Sequence, residues 1–378
     1  MIRKTFFLIL VFLAGFYPLG VQPTLVPQVN TSLGEIGPGS LQPAAPVQTQ
    51  PAVTPGDLQF PIRAAFYYPW FPEAWKQQGM KPFTHYHPAL GYYSTDDLSV
   101  IKQHISEMQY GKIQAGISSW WGQGQPTDKR FPAMLNLGEQ MGFYWALYME
   151  SEGAGDPSVD AIRSDLEYIR DHYAQSPAYL KVSGRFVVFV YAAPSDGCGM
   201  VTRWTQANTV GAYLVLKVFP YYQNCSAQPD GWHQYAPSVA EKKERNYSFT
   251  ISPGFWKGTE GQPRLARDIT QWEKDIRDMV ASNANFQLIT TFNEWGEGTA
   301  VENARQWNSS SSFGLYLDAL HNDGNVPSDS QSNVPTPVIT CNQELEYFFN
   351  YDYEDDNPGF LECFSYFGFV TQCQCGSY

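Results

Sequence analysis

Between residues 59 and 324, apolar runs alternate with amphipathic segments, and this alternation sets the fold class. The pattern repeats about every 30 to 40 residues, the spacing of consecutive strand-helix units. Eight runs are predicted to be strands, at residues 63–68, 115–121, 143–150, 185–192, 212–220, 232–236, 247–255 and 286–295.

The segments between these runs carry a helical period. Residues 96–111 place apolar side chains three and four positions apart, and residues 160–174 and 269–281 are also predicted helices. Eight parallel strands with intervening helices favour the α/β class, as a (β/α)8 TIM barrel of about 250 residues. A doubly wound open sheet is the competing fold. No G-x-G-x-x-G follows the first strand, so its nucleotide-binding form has no support.

The composition limits the partners of this chain. With 378 residues, 43% of them hydrophobic, the chain can bury one large domain with appendages. The net charge of −13 and the absence of a basic patch argue against a nucleic-acid partner. Aromatic residues make up 16% of the chain, which is typical of proteins that stack sugars on flat rings. An aromatic-rich core is the other interpretation.

Four segments flank the barrel region. Residues 1–21 have a basic start and a short apolar stretch, which indicates a signal peptide; without an A-x-A-like cleavage site, a membrane anchor is the alternative. Residues 22–58 are a Pro/Gln/Thr-rich linker and residues 325–340 a second linker. Residues 341–378 form a cysteine-rich, acidic and aromatic tail. The predicted location is extracytoplasmic, either secreted or anchored to the membrane.

The six cysteines fit an oxidising compartment. Cys198 and Cys225 are a candidate pair within the barrel domain, whereas the other four crowd the tail and allow three connectivities. The tail is either a disulfide-stapled carbohydrate-binding module or a cap whose aromatic residues form its own core. The tail cysteines are Cys341, Cys363, Cys373 and Cys375.

Aromatic and acidic residues recur where the predicted strands end. In a barrel of this type, function lies on the loops at the carboxyl ends of the strands. Rings that hold a sugar, together with one carboxylic acid and one carboxylate, are what glycoside hydrolysis requires. A single Trp or Tyr at a strand end is more often a plain cap on the barrel core, and Glu150 alone can equally form a stabilising ion pair with Arg or Lys. The residues at these ends are Tyr67, Tyr68, Trp70, Trp120, Trp121, Glu150, Tyr191, Tyr235, Asn293, Glu294 and Glu297.

The loop TFNEWGEGTAVEN, residues 291–303, is the most informative of these ends. If it turns as a helix does, Glu294 and Glu297 face the same side with Cβ atoms about 5–6 Å apart. Repulsion then raises one of the two pKa values, leaving one acid and one base. Two glycines let the loop approach a ligand closely. Glu302, beyond the glycine turn, is expected to orient its neighbours or to cap the following segment.

Several of these stretches occur in the order found in one known family. FYYPWF, HYHPALGYYSTDDLSVIKQHISEMQ, SSWW, YMES and above all TFNEWGEGTAVEN resemble glycoside hydrolase family 99, the endo-α-mannosidases and endo-α-1,2-mannanases, and related family-99-like domains. The likeness covers residues 62–320. It implies a (β/α)8 barrel that cleaves within α-mannose-containing glycans with retention of configuration, without a cofactor.

The resemblance also implies roles. Glu294 corresponds to a base acting on the substrate's own 2-hydroxyl, Glu297 to the general acid and base, and Glu150 to a sugar-binding carboxylate. Gly296 and Ala300 stand where the family has His and Gln, so contacts to sugar hydroxyls are fewer. Together, the rim pattern and the resemblance predict substrate contacts at Tyr67, Tyr68, Trp70, His85, His87, Trp120, Trp121, Glu150, Tyr191, Tyr235, Asn293 and Trp295.

His85 and His87 allow one other interpretation, because H-x-H near a first barrel strand begins the metal site of amidohydrolases. The pair lies well beyond the strand, so we expect no metal, one His bonded within a loop and the other lining the cleft. The predicted function is a retaining, endo-acting glycoside hydrolase of α-mannoside-containing glycans. A non-catalytic glycan-binding protein, and a similar glycosidase acting on another polysaccharide, are the alternatives.

Overall fold

The structure, a computed structural model, describes residues 57–193 and 195–325. Its centre is a sheet that contains ten strands within these residues. In chain order they are β1 (Ile62–Tyr67), β2 (Ala115–Trp120), β3 (Tyr144–Met149), β4 (Lys181–Val182), β5 (Arg185–Val190), β6 (Tyr213–Lys217), β7 (Gly231–His233), β8 (Glu241–Glu244), β9 (Ser248–Ile251) and β10 (Phe286–Ile289).

Eight of the described strands run parallel and follow one another in the order β7-β6-β5-β3-β2-β1-β10-β9. The first strand lies beside the last, with Ile62 opposite Phe286, so the sheet curls into a barrel. This confirms the predicted (β/α)8 barrel and excludes the doubly wound sheet. The short strands β4 and β8 pair antiparallel with β5 and β9.

The barrel has one seam. Among the described residues no ladder joins β7 to β9. The two strands are linked instead by a side chain, because the Thr250 hydroxyl donates a hydrogen bond of 2.8 Å to the Gln234 carbonyl oxygen. Strand β8 lies on the outer edge of β9 beside this seam.

Seven α-helices lie in the described part of the chain: α1 (Leu98–Tyr110), α2 (Pro126–Met141), α3 (Ser151–Ala154), α4 (Val159–His172), α5 (Cys198–Ala207), α6 (Ile269–Ala281) and α7 (Leu315–His321). The three predicted helices correspond to α1, α4 and α6. Helix α1 begins where the Asp97 side chain accepts from the Ser99 N–H, and α6 where Asp268 accepts from the Thr270 N–H. A 3-10 turn, Tyr222–Asn224, follows β6 in place of a helix.

Alternation along each strand separates two apolar regions. In β1, Ile62, Ala64 and Phe66 join the cluster that fills the barrel, whereas Ala65 and Tyr67 join the larger cluster between the barrel and its helices. Successive side chains of a strand point to opposite faces. The position of a residue within its strand therefore decides whether it faces the barrel interior or the helices.

The predicted strands extend too far at their carboxyl ends. The runs at 212–220, 247–255 and 286–295 end as strands at Lys217, Ile251 and Ile289, because the apolar residues beyond these points pack in loops. The predicted leader, the tail and nearly all of both linkers lie outside the described residues. In residues 57–193 and 195–325, no helix is long and apolar enough to cross a bilayer.

A disulfide joins Cys198 to Cys225, which confirms the predicted pair. It links the first residue of α5 to the loop between β6 and β7. The tail cysteines lie outside the described residues.

Candidate active site

Acidic and aromatic side chains from four strands meet at the carboxyl end of the barrel. Glu150 directly follows β3, Tyr191 follows β5, and Tyr235 lies two residues beyond β7. The Tyr235 hydroxyl donates a 3.0 Å hydrogen bond to Glu297 Oε2, in the loop after β10. The charges of Glu150 and Glu297 both act on the Tyr191 hydroxyl. The strand ends therefore converge on one group of carboxylates.

The loop after β10 holds its two glutamates in a tight turn. The backbone N–H of Glu294 donates to the Thr291 hydroxyl oxygen at 2.8 Å, and the N–H of Glu297 donates to Glu294 Oε1 at 3.2 Å. Gly298 has φ +67°, and a Cβ there would lie 2.6 Å from the Trp256 carbonyl oxygen, so only glycine suits this position. The turn itself thus supplies a hydrogen-bond donor to one of the two carboxylates.

Three other residues of the same loop fix its position through buried hydrogen bonds. The side-chain amide of Asn293 accepts a 2.7 Å hydrogen bond from the Tyr68 N–H and donates a 3.0 Å hydrogen bond to the Tyr68 carbonyl oxygen. These two bonds tie the loop to the end of β1. The Trp295 indole N–H donates to Glu302 at 3.0 Å. Glu302 is fully buried and also accepts from the Tyr93 hydroxyl at 2.7 Å. Glu302 therefore accepts hydrogen bonds from two neighbouring side chains and holds them in place.

Burial perturbs the three carboxyl groups. It raises the pKa of Glu294 to about 8, with a further contribution from the charge of Glu297. Burial also raises the pKa of Glu297, although the Tyr235 hydrogen bond and the Lys257 charge oppose the rise. Burial raises the pKa of Glu150 to about 8, opposed by a hydrogen bond from Ser119. The Glu294–Glu297 pair therefore retains a proton near neutral pH, and in the unliganded site the charges favour Glu294 as its carrier.

Two tryptophans and one histidine from the predicted set line the rim. Trp70 packs edge-on against Tyr68 with ring centroids 4.5 Å apart, and its indole N–H donates to Ser119 at 3.0 Å. Trp121 lies 6.4 Å from Trp70 and is 37% exposed. His85 stacks on Trp256 at 3.9 Å. These rings give the rim apolar surfaces suited to sugar faces.

Four predicted contacts lie elsewhere. Tyr67, Trp120 and Trp295 are fully buried outside the barrel interior, where Tyr67 bonds His104 and Trp120 bonds Asp128, so none of the three reaches the cleft. For Tyr67 and Trp120 the reason is alternation, because their neighbours Tyr68 and Trp121 take the inward positions. Trp295 lies in the loop after β10, where its indole N–H binds Glu302. His87 binds Gln306 at 2.8 Å, within the loop packing.

The structure adds residues that the sequence interpretation missed. Tyr148 lies in the barrel two positions before Glu150, and its hydroxyl contacts His233 Nε2 at 3.2 Å. Burial lowers the pKa of His233 to about 3, so this imidazole is neutral. The Lys217 ammonium lies 4.8 Å from the ring centre of Tyr191. The alternation of inward and outward side chains along β3, β6 and β7 is the sequence signal by which these positions could have been found.

Gly296 and Phe83 shape the wall beside the glutamates. A Cβ at residue 296 would lie 2.9 Å from Glu294 Oε1 and 2.9 Å from the Phe83 ring. The space next to Glu294 is therefore filled by an apolar ring rather than by a side chain from the loop. This arrangement contributes to the burial that raises the pKa of Glu294.

The described residues contain one group of carboxylates close enough together for a metal ion. Glu152, Asp156 and Asp196 have ligand atoms within 4.8 Å of one another. Arg203 pairs with Glu152 and Asp156, and the Trp204 indole donates to Glu152 at 2.6 Å, so protein groups already offset part of this charge. His85 and His87 do not belong to this group.

A TIM barrel with an acidic, aromatic rim at the carboxyl ends of its strands is an arrangement typical of glycoside hydrolases. The glycosyl hydrolase family 99 profile matches residues 70–224. The chain is similar to the mouse (Mus musculus) glycoprotein endo-alpha-1,2-mannosidase-like protein, at 23% identity over 286 residues, covering 62% of this chain and 61% of that protein. It is 24% identical over 268 residues to glycoprotein endo-alpha-1,2-mannosidase of Xenopus laevis, covering 58% of each. The chain thus spans about three fifths of the length of these relatives.

Solved structures share the fold. The family 99 endo-alpha-mannosidase of Bacteroides thetaiotaomicron, in complex with bis-tris propane, superposes with a TM-score of 0.56 at 18% identity, covering 70% of this chain and 95% of that one. A glycoside hydrolase-like protein gives a TM-score of 0.50 at 14% identity, covering 75% of this chain and 98% of that one. The family profile and the curated relatives show in the same way that the chain is similar to family 99 glycosidases.

Proposed function

We propose that this protein is a retaining, endo-acting glycoside hydrolase that cleaves α-mannoside-containing glycans or polysaccharides. The observation that carries the proposal is the buried pair Glu294 and Glu297, held in one turn, with Tyr235 bonded to one member and the loop N–H to the other. Glu150 and Tyr191 are close enough to the pair that the charge of Glu297 acts on both. The choice of α-mannosides as the substrate rests on the similarity to family 99.

The chemistry assigns one proton task to each glutamate. In the first step, ionised Glu294 takes the proton of the substrate's 2-hydroxyl, and that oxygen attacks the anomeric carbon. Glu297 donates its proton to the departing glycosidic oxygen, leaving a 1,2-anhydro sugar. In the second step, Glu297 takes a proton from water, which attacks the anomeric carbon. Glu294 then returns its proton to the 2-oxygen, and configuration is retained.

The proton must sit on Glu297 when the first step begins. In the unliganded site the charges favour Glu294 instead. A glycosidic oxygen that accepts a hydrogen bond from Glu297, and a 2-hydroxyl that donates one to Glu294, together favour the opposite arrangement. Substrate binding therefore moves the shared proton into the productive position, because the pair titrates as a unit.

The remaining rim residues hold the glycan. Trp70 and Trp121 offer ring faces, and Tyr68 and Tyr191 offer hydroxyls beside the carboxylates. Burial raises the pKa of both tyrosines, so they are neutral hydrogen-bond donors. Glu150, also protonated near neutral pH, donates to a sugar oxygen. None of these steps uses a metal or a cofactor.

The protein acts outside the cytoplasm. The Cys198–Cys225 disulfide supports this location, because such bonds form and persist in oxidising compartments. The leader at residues 1–21 either is removed or tethers the protein to a membrane.

Two observations favour a second candidate, a glycan-binding protein without turnover. Gly296 stands where family 99 has a histidine, and burial raises the pKa of the proposed base, Glu294, to about 8, so that it is protonated at neutral pH in the unliganded site. The rim aromatics would serve binding equally well. A third candidate is the same reaction on a different polysaccharide.

The test incubates the full chain with polymeric α-mannan and with a defined α-manno-oligosaccharide. Products are read by mass and by anomer-resolved NMR. Glu294→Gln and Glu297→Gln should each abolish cleavage, whereas Glu167→Gln, on the outer surface of α4, serves as the matched control.

Internal cleavage that first releases the α-anomer, lost in both site variants and kept in the control, supports the proposal. Bound but intact glycan moves the protein to the binding class. Release of the β-anomer would contradict retention, and neither binding nor cleavage would contradict the choice of mannose.

A further inference from the structure

A cavity of about 420 Å³ lies beside the barrel seam, away from the glutamate pair. Lys217 and Gln234, at the ends of β6 and β7, lie on one side of it. Residues 218–223 of the loop after β6 form a wall, and Lys242 and Glu244 of β8 form another. Neither the proposed mechanism nor the family motifs uses this cavity.

Tyr221 is the most unusual residue of its lining. Its side chain is 79% exposed, the highest value among the exposed large hydrophobic residues of the described chain. Its φ is +65°, in the left-handed region that bulky residues rarely adopt. Such backbone outliers persist only where the surroundings enforce them, and they cluster at functional positions. An exposed aromatic ring on a strained backbone is therefore a candidate ligand contact.

The segment around Tyr221 is fixed rather than loose. The next residue, Tyr222, is buried and its hydroxyl bonds Glu244 across the cavity wall. Cys225 is bonded to Cys198, and Gln228 donates to the Tyr222 and Cys225 carbonyl oxygens at 3.2 Å and 2.9 Å. The Tyr221 ring is therefore presented from a rigid support, which lowers the entropy cost of binding.

The lining chemistry matches a sugar. A pyranose offers an apolar face to an aromatic ring and hydroxyls to amides and ammonium groups. Tyr221 supplies the ring, Gln223 and Gln234 supply amides, and Lys242 supplies donors. Glu244 faces the same cavity, so the lining holds charges of both signs, which suits a neutral ligand.

One side chain, Lys217, contacts both the cavity and the cleft. Lys217 lines it and lies 4.8 Å from the ring centre of Tyr191. Tyr191 in turn feels the charges of Glu150 and Glu297. Lys217 therefore marks the direction in which a glycan chain that crosses Tyr191 would approach the cavity.

We propose that this cavity is a distal subsite that binds a neutral pyranose residue of an extended glycan, several units from the bond that is cleaved, with Tyr221 as its stacking platform. This inference rests on the proposed function, since it assumes a glycan in the cleft. Such a subsite makes the protein selective for long glycan chains over short ones.

The test compares polymeric α-mannan with a short α-manno-oligosaccharide, using the full chain. In Tyr221→Ala, the KM on the polymer divided by the KM on the short substrate should rise about threefold to tenfold, the worth of one aromatic stacking contact. Tyr221→Phe keeps the ring and should keep the wild-type ratio. Lys242→Ala should raise the ratio, whereas Lys243→Ala should not, because adjacent side chains of β8 point to opposite faces.

A second measurement needs no turnover. Affinity gel electrophoresis through soluble α-mannan reports binding alone, and Tyr221→Ala should be retarded less than Tyr221→Phe. If the wild type is retarded but cleaves nothing, this difference still supports the subsite while the proposed hydrolysis fails. The subsite is overturned if the alanine variant matches the wild type in both measurements, or if α-mannan retards none of the proteins.

Discussion

Removing the hydroxyl of Tyr235 tests the electrostatics of the glutamate pair. This hydroxyl donates a 3.0 Å hydrogen bond to Glu297 Oε2, and the Tyr235 side chain is 8% exposed. The bond stabilises the ionised carboxylate and so lowers the pKa of Glu297. Tyr235→Phe deletes only the donor, so the pKa of Glu297 should rise.

The size of the change follows from the bond. A hydrogen bond to a charged group contributes about 1.5–3 kcal/mol. At about 1.36 kcal/mol per pKa unit, its loss raises the pKa by about one to two units. In the proposed mechanism Glu297 must be protonated to act as the acid, so the alkaline limb of kcat/KM should move to higher pH by that amount. The alkaline limb reports an apparent pKa of the coupled Glu294–Glu297 pair rather than of Glu297 alone, but this apparent pKa should also shift upward.

The assay is a series of initial rates on α-manno-oligosaccharide between about pH 4 and pH 10. Tyr173→Phe is the matched control: its hydroxyl bonds Asp128 at 2.5 Å, outside the barrel interior, so it should cost stability without moving the limb. An alkaline limb that stays in place in Tyr235→Phe, or moves to lower pH, would refute the reasoning.

Three further predictions concern the carboxyl, the loop and the disulfide. Burial raises the pKa of Glu150 from 4.5 to about 8, so the folded chain retains a proton that the unfolded chain loses. The free energy of unfolding should therefore fall as pH rises between these values, by up to about 1.4 kcal/mol per unit. Glu150→Gln should flatten that slope in urea titrations at several pH values. A Cβ at Gly296 would lie 2.9 Å from the carboxylate two residues earlier, so Gly296→Ala should lower kcat about tenfold to a hundredfold. Gly261→Ala has open space around the new Cβ and should not; equal kcat values would contradict the geometry. Replacing Cys198 and Cys225 by Ser should lower the free energy of unfolding by about 3–4 kcal/mol, and an unchanged melting temperature would count against it.

The sequence predicted the barrel because the pattern that produces it, apolar runs separated by amphipathic segments, is local. Eight apolar runs separated by amphipathic segments leave few ways to bury both faces of a parallel sheet, and the observed order of strands is one of them. The helices α1 and α6 were predictable for the same reason, since their caps, Asp97 and Asp268, act on residues two positions away. The seam beside β9 was not predictable, because it depends on which strand ends pair across the barrel.

At the site, the sequence indicated Glu294, Glu297 and Glu150, because carboxylates at strand ends recur in the chain order of a known family. It did not choose between Tyr67 and Tyr68, or between Trp120 and Trp121. That choice depends on strand alternation measured from an exact register, which only pairing with neighbouring strands fixes.

The sequence by itself thus determined the element types, their order and the residue types at the rim, since propensity, periodicity and capping act over a few positions. Tertiary structure alone decided which rings face the cleft, how far each carboxyl is buried, and where the Tyr221 cavity lies. These properties arise from packing between residues far apart in the chain, such as Tyr235 with Glu297 and Asn293 with Tyr68. Burial and charge at such contacts set the pKa values, and no stretch of sequence contains them.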